Sequence, residues 1–310
     1  MQRILIAVFL IITITHSAIA QNTYDFLRLD PSPRAAALAG SYVANTDDPN
    51  VVFYNPAGIV SLEENPISLS YFKHLVDINS ASIAYSQNFE SIGRFAAGIQ
   101  YINYGSFTKS NELGERLGEF NASEIAILVG YGGALDENFH YGANVKFIYS
   151  GIEEYYSTGM AVDLGMQYLW LEQGWNFGIS IQNLGSQIKT YFSAREDLPL
   201  NVQIGFSKKL QHMPFEFFFA FNKLNQDEGG FSERFSNITA GGEFRLSNVI
   251  RLRLGYDNEK RKELKVGTTA GLAGFNLGLG IITNGYNIDY SFSSLGSIGA
   301  MHRFGITTQI

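Results

Sequence analysis

Residues able to do acid–base or nucleophilic chemistry are scattered along this chain. His74, His140, His212 and His302 stand far apart, and no H-E-x-x-H, G-x-S-x-G, P-loop or G-x-G-x-x-G pattern occurs. Acidic pairs at Asp47-Asp48, Asp136-Glu137 and Asp227-Glu228 lack the ligand spacing of a calcium loop. Nothing joins a nucleophile to a base, so the chain is expected not to be an enzyme and to need no metal or cofactor. The chemistry that remains is charge pairing. Lys146, Asp163, Glu243, Arg245, Arg251 and Arg253 fall on alternate positions of otherwise apolar stretches, as do Asn144, Gln167, Gln182, Asn201, Gln203, Glu216 and Asp289. Both signs are present, which fits a hydrogen-bonded lumen better than a pore constriction of one sign.

The elements that must carry those groups are written in two-residue steps. Phe215, Phe217, Phe219 and Phe221 share one face of a strand, leaving Glu216, Phe218 and Ala220 on the other. Ile250-Arg251-Leu252-Arg253-Leu254 sets two arginines opposite three apolar side chains. Successive side chains of a strand point to opposite faces, so each stretch is a ribbon with one apolar and one polar side. An arginine facing lipid at mid-bilayer costs roughly 2–4 kcal/mol, so the polar side must be the inner one.

The N-terminus agrees with a membrane destination. Arg3 precedes an apolar run from Ile4 to Ile14, and Ser17-Ala18-Ile19-Ala20 closes it with small residues. This reads as a secretory signal, residues 1–20, cleaved between Ala20 and Gln21; the run is too short for a spanning helix. The chain has no cysteine, which excludes lipoprotein acylation, disulfides and thiolate metal sites. Its net charge of −7, without a basic run, argues against nucleic acid as a partner. The 24 Phe and 17 Tyr supply aromatic girdles at two membrane interfaces, and the 32 Gly suit places where a barrel wall bends or crowds.

Prolines divide the remainder. Pro31, Pro33, Pro49, Pro56 and Pro66 lie at or before position 66, against only Pro199 and Pro214 beyond it. Residues 21–66 therefore read as an irregular segment, a hatch or plug, and 67–310 as a transmembrane β-barrel. Within the first part, Ser32 to Gly40 carries a Ser cap, a Pro at the first helical position and a Gly past the end; Asn55-Pro56-Ala57-Gly58 opens a second helical turn by the same logic. Fifteen alternating segments follow, near 67–73, 81–88, 94–104, 123–133, 139–150, 158–170, 174–183, 198–208, 214–223, 236–245, 249–257, 264–273, 275–284, 286–293 and 302–310. Most reach the ~9–11 residues a tilted spanning strand needs, beyond the ~5–6 usual in soluble domains. Single-chain bacterial barrels have even strand numbers, so about fourteen antiparallel strands are expected, with 67–73 the segment to discard. The long polar stretches 105–122, 184–197 and 224–235 are expected to be loops.

The N-terminal motifs are more specific than the strands. Phe26-Leu27-Arg28-Leu29, Pro33-Arg34-Ala35-Ala36-Ala37-Leu38-Ala39-Gly40, Asp47-Asp48-Pro49 and Phe53-Tyr54-Asn55-Pro56-Ala57-Gly58-Ile59 resemble the PorV/PorQ family, within the wider FadL-like group of fourteen-stranded, plugged outer-membrane barrels. Two positions depart from the pattern: Ala39 stands where the family usually has Gly, and the chain closes on Ile310 rather than an aromatic residue. The resemblance implies that Arg34, Gly40, Asn55, Pro56, Ala57 and Gly58 belong to a hatch, with Arg34 paired to a lumenal carboxylate. It implies an outer-membrane component of a type IX-like secretion system of the Bacteroidetes, with C-terminal signal domains of exported proteins and other secretion components as partners beside membrane lipid. The wider group implies the alternative, a FadL-type transporter of long-chain fatty acids or other hydrophobic small molecules. The polar inner face tilts the reading toward the secretion role.

Overall fold

Alternating sequences close into a ring because every strand needs a hydrogen-bonding neighbour on both sides, and closure alone leaves no edge in lipid. In the computed structural model, which describes residues 23–226, 235–265 and 271–310, fourteen strands form a single closed antiparallel barrel. They are β1 (Pro66–Lys73), β2 (Asn79–Phe89), β3 (Gly93–Ser110), β4 (Arg116–Ala134), β5 (Phe139–Ile152), β6 (Tyr155–Trp170) and β7 (Trp175–Lys189). There follow β8 (Asn201–Lys209), β9 (Phe215–Phe221), β10 (Ile238–Arg245), β11 (Ile250–Asp257), β12 (Phe275–Thr283), β13 (Tyr286–Ser294) and β14 (Ala300–Gln309). Neighbours in sequence are neighbours in space, and β1 pairs with β14 from Pro66 opposite Gln309 to Lys73 opposite His302. No helix among the described residues is long and apolar enough to cross a membrane.

The wall alternates as the sequence demands. β6 reads exposed and buried in turn along nearly its whole length, with Met160, Val162, Leu164, Met166 and Tyr168 outward and Ala161, Asp163 and Gln167 inward. Short turns link β2–β3, β4–β5, β6–β7, β8–β9, β10–β11 and β12–β13 at the end that also holds the start of β1 and the end of β14. In barrels of this class that end is periplasmic. Tyr168, Trp170 and Phe177 mark the outer surface there, and Tyr149 and Tyr156 mark it at the external end.

The strand number agrees with the expectation, but the discarded segment does not. Residues 67–73 form most of β1, the seam strand, which pairs with β14 on one side and β2 on the other. The surplus segment was 264–273: a short helix, α1 (Asn258–Glu263), occupies the β11–β12 connection, the described residues after it are turn or coil, and 266–270 lie outside the described residues. One predicted loop, 105–122, is largely strand, and another, 184–197, is strand in its first part. β3 and β4 run on to Ser110 and from Arg116, and β7 runs on to Lys189. The ends of β3 and β4 are exposed on both faces, so their residues show no apolar alternation. The signal segment with Ala20 and Gln21, and the Asp227-Glu228 pair, lie outside the described residues.

Candidate functional site: the filled lumen

Residues 23–65 lie within the barrel. A five-residue helix (Pro33–Ala37) starts at Ser32, whose hydroxyl accepts from the Ala35 amide. Ala39 and Gly40 then both adopt left-handed backbone, with φ of 56° and 72°. Two 3-10 turns, Pro49–Phe53 and Pro56–Ser61, open on Asp48 and Asn55, whose side chains accept from the amides of Asn50 and Ala57. Proline at the first position of each loses no bond, because that amide has no partner inside a helix. Ala35, Ala36, Ala37, Leu38, Val51, Val52, Ala57 and Ile59 are completely buried.

The wall makes room for this segment with glycine. A methyl group on Gly98, Gly132, Gly241 or Gly305 would lie 2.6–2.9 Å from Phe53, Ile59, Leu38 and Pro33 respectively. One on Gly142 would meet the Pro56 carbonyl carbon at 2.5 Å, and one on Gly165, Gly178, Gly255 or Gly278 would collide with Asn55, Val43 or Ala37. Real contacts of that kind are not closer than about the van der Waals limit, so any larger residue there must displace the segment or bend the wall. The belt is steric.

Polar side chains then fasten what the glycines admit. Asn55 is fully buried; besides capping its turn, its amide donates to Val43 O at 2.7 Å and to Met166 O of β6 at 3.1 Å. Gln167 donates to Val43 O and Asn45 O, Gln182 to Phe53 O and Tyr54 O, and Asn144 to Val52 O, all between 2.7 and 3.1 Å. Lys146 pairs with Asp163 at 3.1 Å and donates to Asn183 at 2.7 Å, and Asp163 also accepts from Asn144. These bonds satisfy carbonyls that have no strand partner, which a buried irregular segment requires.

Across the lumen the fastening is ionic. Arg34 Nε donates to Glu243 at 3.0 Å while its two terminal nitrogens grip Asp47 at 2.8 and 3.2 Å. Arg253 donates to the same Glu243 carboxylate at 2.6 Å and to Asp289 at 2.5 Å. The order Asp47–Arg34–Glu243–Arg253–Asp289 thus runs from hatch to wall, and Glu243 is only 3% exposed at its side chain. Desolvation pushes the Asp47 carboxyl up and the Arg34 guanidinium pulls it down; the ion pair wins and holds it at about 2. Of the other sequence-chosen cations, Arg245 approaches Glu216 at 3.5 Å, and Arg251 donates to the carbonyls of Ser247 and Ile250. Gly40 packs against Asp30, Pro56 and Ala57 against β5, and Gly58 against Val51 and the Asn45 carbonyl.

Sequence reasoning missed several members. Tyr42 donates to Asp48 at 2.6 Å and Tyr54 to Asp30 at 3.0 Å, inside the segment. Arg94 donates to the carbonyls of Leu62 and Glu64, holding the exit toward β1. Arg303, on β14, donates to Asp30 O at 3.1 Å and lies over the Phe72 ring. Arg94 and Arg303 each occupy the polar phase of an alternating strand, which was the available signal.

The segment leaves cavities at both ends. One of about 250 Å³ faces the external end; its lining mixes apolar Leu27, Leu29 and Leu128 with amides such as Gln182 and Gln203 and with charged groups such as Lys223 and Glu259. A second, of about 200 Å³, faces the periplasmic end among charged groups. Among the described residues no group of three His, Asp or Glu is placed to hold a metal ion.

The sequence matches no protein-family model and no curated protein. Its structure is similar to three solved barrels. The Ralstonia pickettii toluene transporter TbuX superposes with a TM-score of 0.59 at 12% identity, covering 90% of this chain and 98% of that one. The Pseudomonas putida toluene transporter TodX gives 0.57 at 12%, covering 88% and 95%. A Pseudomonas aeruginosa FadL homologue gives 0.57 at 9%, covering 94% and 99%. At such identities the likeness speaks for fold, and it carries nothing on the PorV/PorQ family as such. In fold, the chain is similar to these outer-membrane proteins: a closed antiparallel β-barrel of fourteen strands.

Proposed function

We propose that this chain resides in a bacterial outer membrane and works at the external surface as a component of a type IX-like secretion system, receiving exported proteins while its lumen stays closed. The observation that carries this reading is the stepped external rim. β3 and β4 continue as a two-stranded ribbon, pairing Ser106 with Asn121 and Ser110 with Arg116, while β8, β9 and β10 stop far lower. A projecting ribbon offers backbone and side chains to a β-rich partner, the mode by which strands recognise strands. The N-terminal motif resembling the PorV/PorQ family points the same way. Its residues also build the joints of the hatch, so the motif describes a plug type as much as a cargo.

A second reading has its own support. The solved neighbours favour a FadL-type transporter of hydrophobic small molecules over the secretion role, since two of them are toluene transporters. The cavity at the external end, lined by apolar, amide and charged side chains together, offers contacts to both parts of an amphipathic ligand. Affinity purification from the native membrane, with mass spectrometry of co-purifying proteins and lipids, separates the two. Exported proteins sharing a C-terminal domain are the expected recovery. A stoichiometric fatty acid or similar solute without a protein partner would replace the first reading by the second.

A further inference from the structure

The periplasmic cavity holds a donor surplus. Its charged lining comprises Arg34, Arg245, Arg251 and Arg253 with Asp47, Asp48, Glu243 and Asp289. The carboxylates are already engaged: Asp47 by Arg34, Asp48 by Tyr42 and Asn50, Glu243 by Arg34 and Arg253, and Asp289 by Arg253. Arg34 and Arg253 are each clamped between two of those carboxylates. Arg245 and Arg251 are not. They stand directly opposite each other on β10 and β11 and line the same cavity. Like charges at directly paired positions repel, so a ladder does not gain by placing them there.

Their own partners are thin. Arg245 has the long contact to Glu216, and Arg251 has two main-chain carbonyls of its own turn. A guanidinium carries five N–H donors in a fixed fork suited to a planar carboxylate or a phosphate. Asn287 and Thr307, also on the lining, add neutral hydrogen-bonding groups.

We propose that the periplasmic mouth is a binding site for a small oxyanion, a carboxylate or phosphate group, held between Arg245 and Arg251. Such a group relieves the repulsion of the opposed arginines and takes up donors that the wall leaves without acceptors. Its source is either dissolved anion or an acidic side chain on a periplasmic polypeptide. The site stands apart from both readings of function, because it uses neither the external rim nor the external cavity.

Titration calorimetry on the full-length barrel in neutral detergent at low salt tests it, with inorganic phosphate and a tetra-aspartate peptide as probes. At least one should bind, more weakly as salt rises. The double variant Arg245→Gln, Arg251→Gln should lose ten-fold or more, and Lys189→Gln at the external rim should lose nothing. Tighter binding of the peptide would identify a polypeptide source, and tighter binding of phosphate a dissolved one. Should the double variant fail to show heat-modifiable migration, Arg251→Lys keeps the charge without the fork and should bind several-fold more weakly. Absence of millimolar binding by either probe, or affinity unchanged in these variants, overturns the site.

Discussion

The two halves of the barrel wall hold the same segment by different chemistry. β2 to β7, of 11 to 19 residues, grip it with amides: Asn144, Gln167 and Gln182 donate to hatch carbonyls, and Lys146 and Asp163 brace Asn144 and Asn183 behind them. β8 to β14, of 7 to 10 residues, grip it with ions, through Glu243, Arg253 and Asp289, and with Arg303 on the Asp30 carbonyl. Neutral bonds are individually modest and replaceable by water. A buried ion pair is different, because losing one partner strands the other without solvent. The direct grip of the tall half is therefore the more fault-tolerant of the two, with its own buried pair, Lys146–Asp163, set behind the amides.

Deleting residues 23–65 removes what both halves hold, and gives the largest effect. The glycine belt cannot fill the space, so planar-bilayer conductance of the deletion variant should greatly exceed that of the full chain. Equal conductance in both would mean that the segment does not occlude the lumen.

The comparison itself is tested by one residue from each half. Glu243→Ala leaves Arg34 and Arg253 buried without their shared carboxylate and should cost about 3–5 kcal/mol. Gln182→Ala leaves the Phe53 and Tyr54 carbonyls unpaired and should cost about 1–3 kcal/mol. Urea unfolding of the purified barrel reads both, and a reversed order would remove the distinction between the halves.

Acid is a finer probe of the ionic half. A carboxylate depressed in the folded state contributes stability above its unfolded pKa, about 3.9, and loses it as pH falls through the folded value. With Asp47 held at about 2, its contribution persists from pH 7 to pH 4 and fades only below that. Protease access to the hatch, measured at pH 7 and pH 4 after adjusting for the protease, should not differ through this pair. The smallest effect is expected from Ala39→Gly. It relieves left-handed backbone at φ 56° and should stabilise by no more than about 1 kcal/mol in the same urea titration.

Much of this was legible in the sequence, and unevenly so. Alternation placed Lys146, Asp163, Glu243 and Arg253 on the inner face because lipid tolerates none of them outside. Proline and capping residues located the turns at Pro33 and Pro56, and the same logic, not applied to Asp48-Pro49, describes the third. What alternation cannot report is the register of one strand on another, and so which carboxylate Arg34 meets. It also fails where a strand leaves the membrane: Ser106, Thr108, Lys109 and Glu119 are polar on both faces and resemble a loop. The belt was hidden for a related reason. Gly142, Gly165 and Gly178 look like interruptions of a strand until the segment that fits against them is in view.

The seam between β1 and β14 also sets an order of assembly. Pro66 opposes Gln309, and the Ile310 amide donates to Asn65 O at 3.1 Å, so the ring shuts between its first strand and its last. The enclosed segment lies directly ahead of β1. It is made first and enclosed last. The glycine belt leaves no clearance for a folded segment to enter afterwards, so the wall must be wrapped around the hatch before the seam is joined.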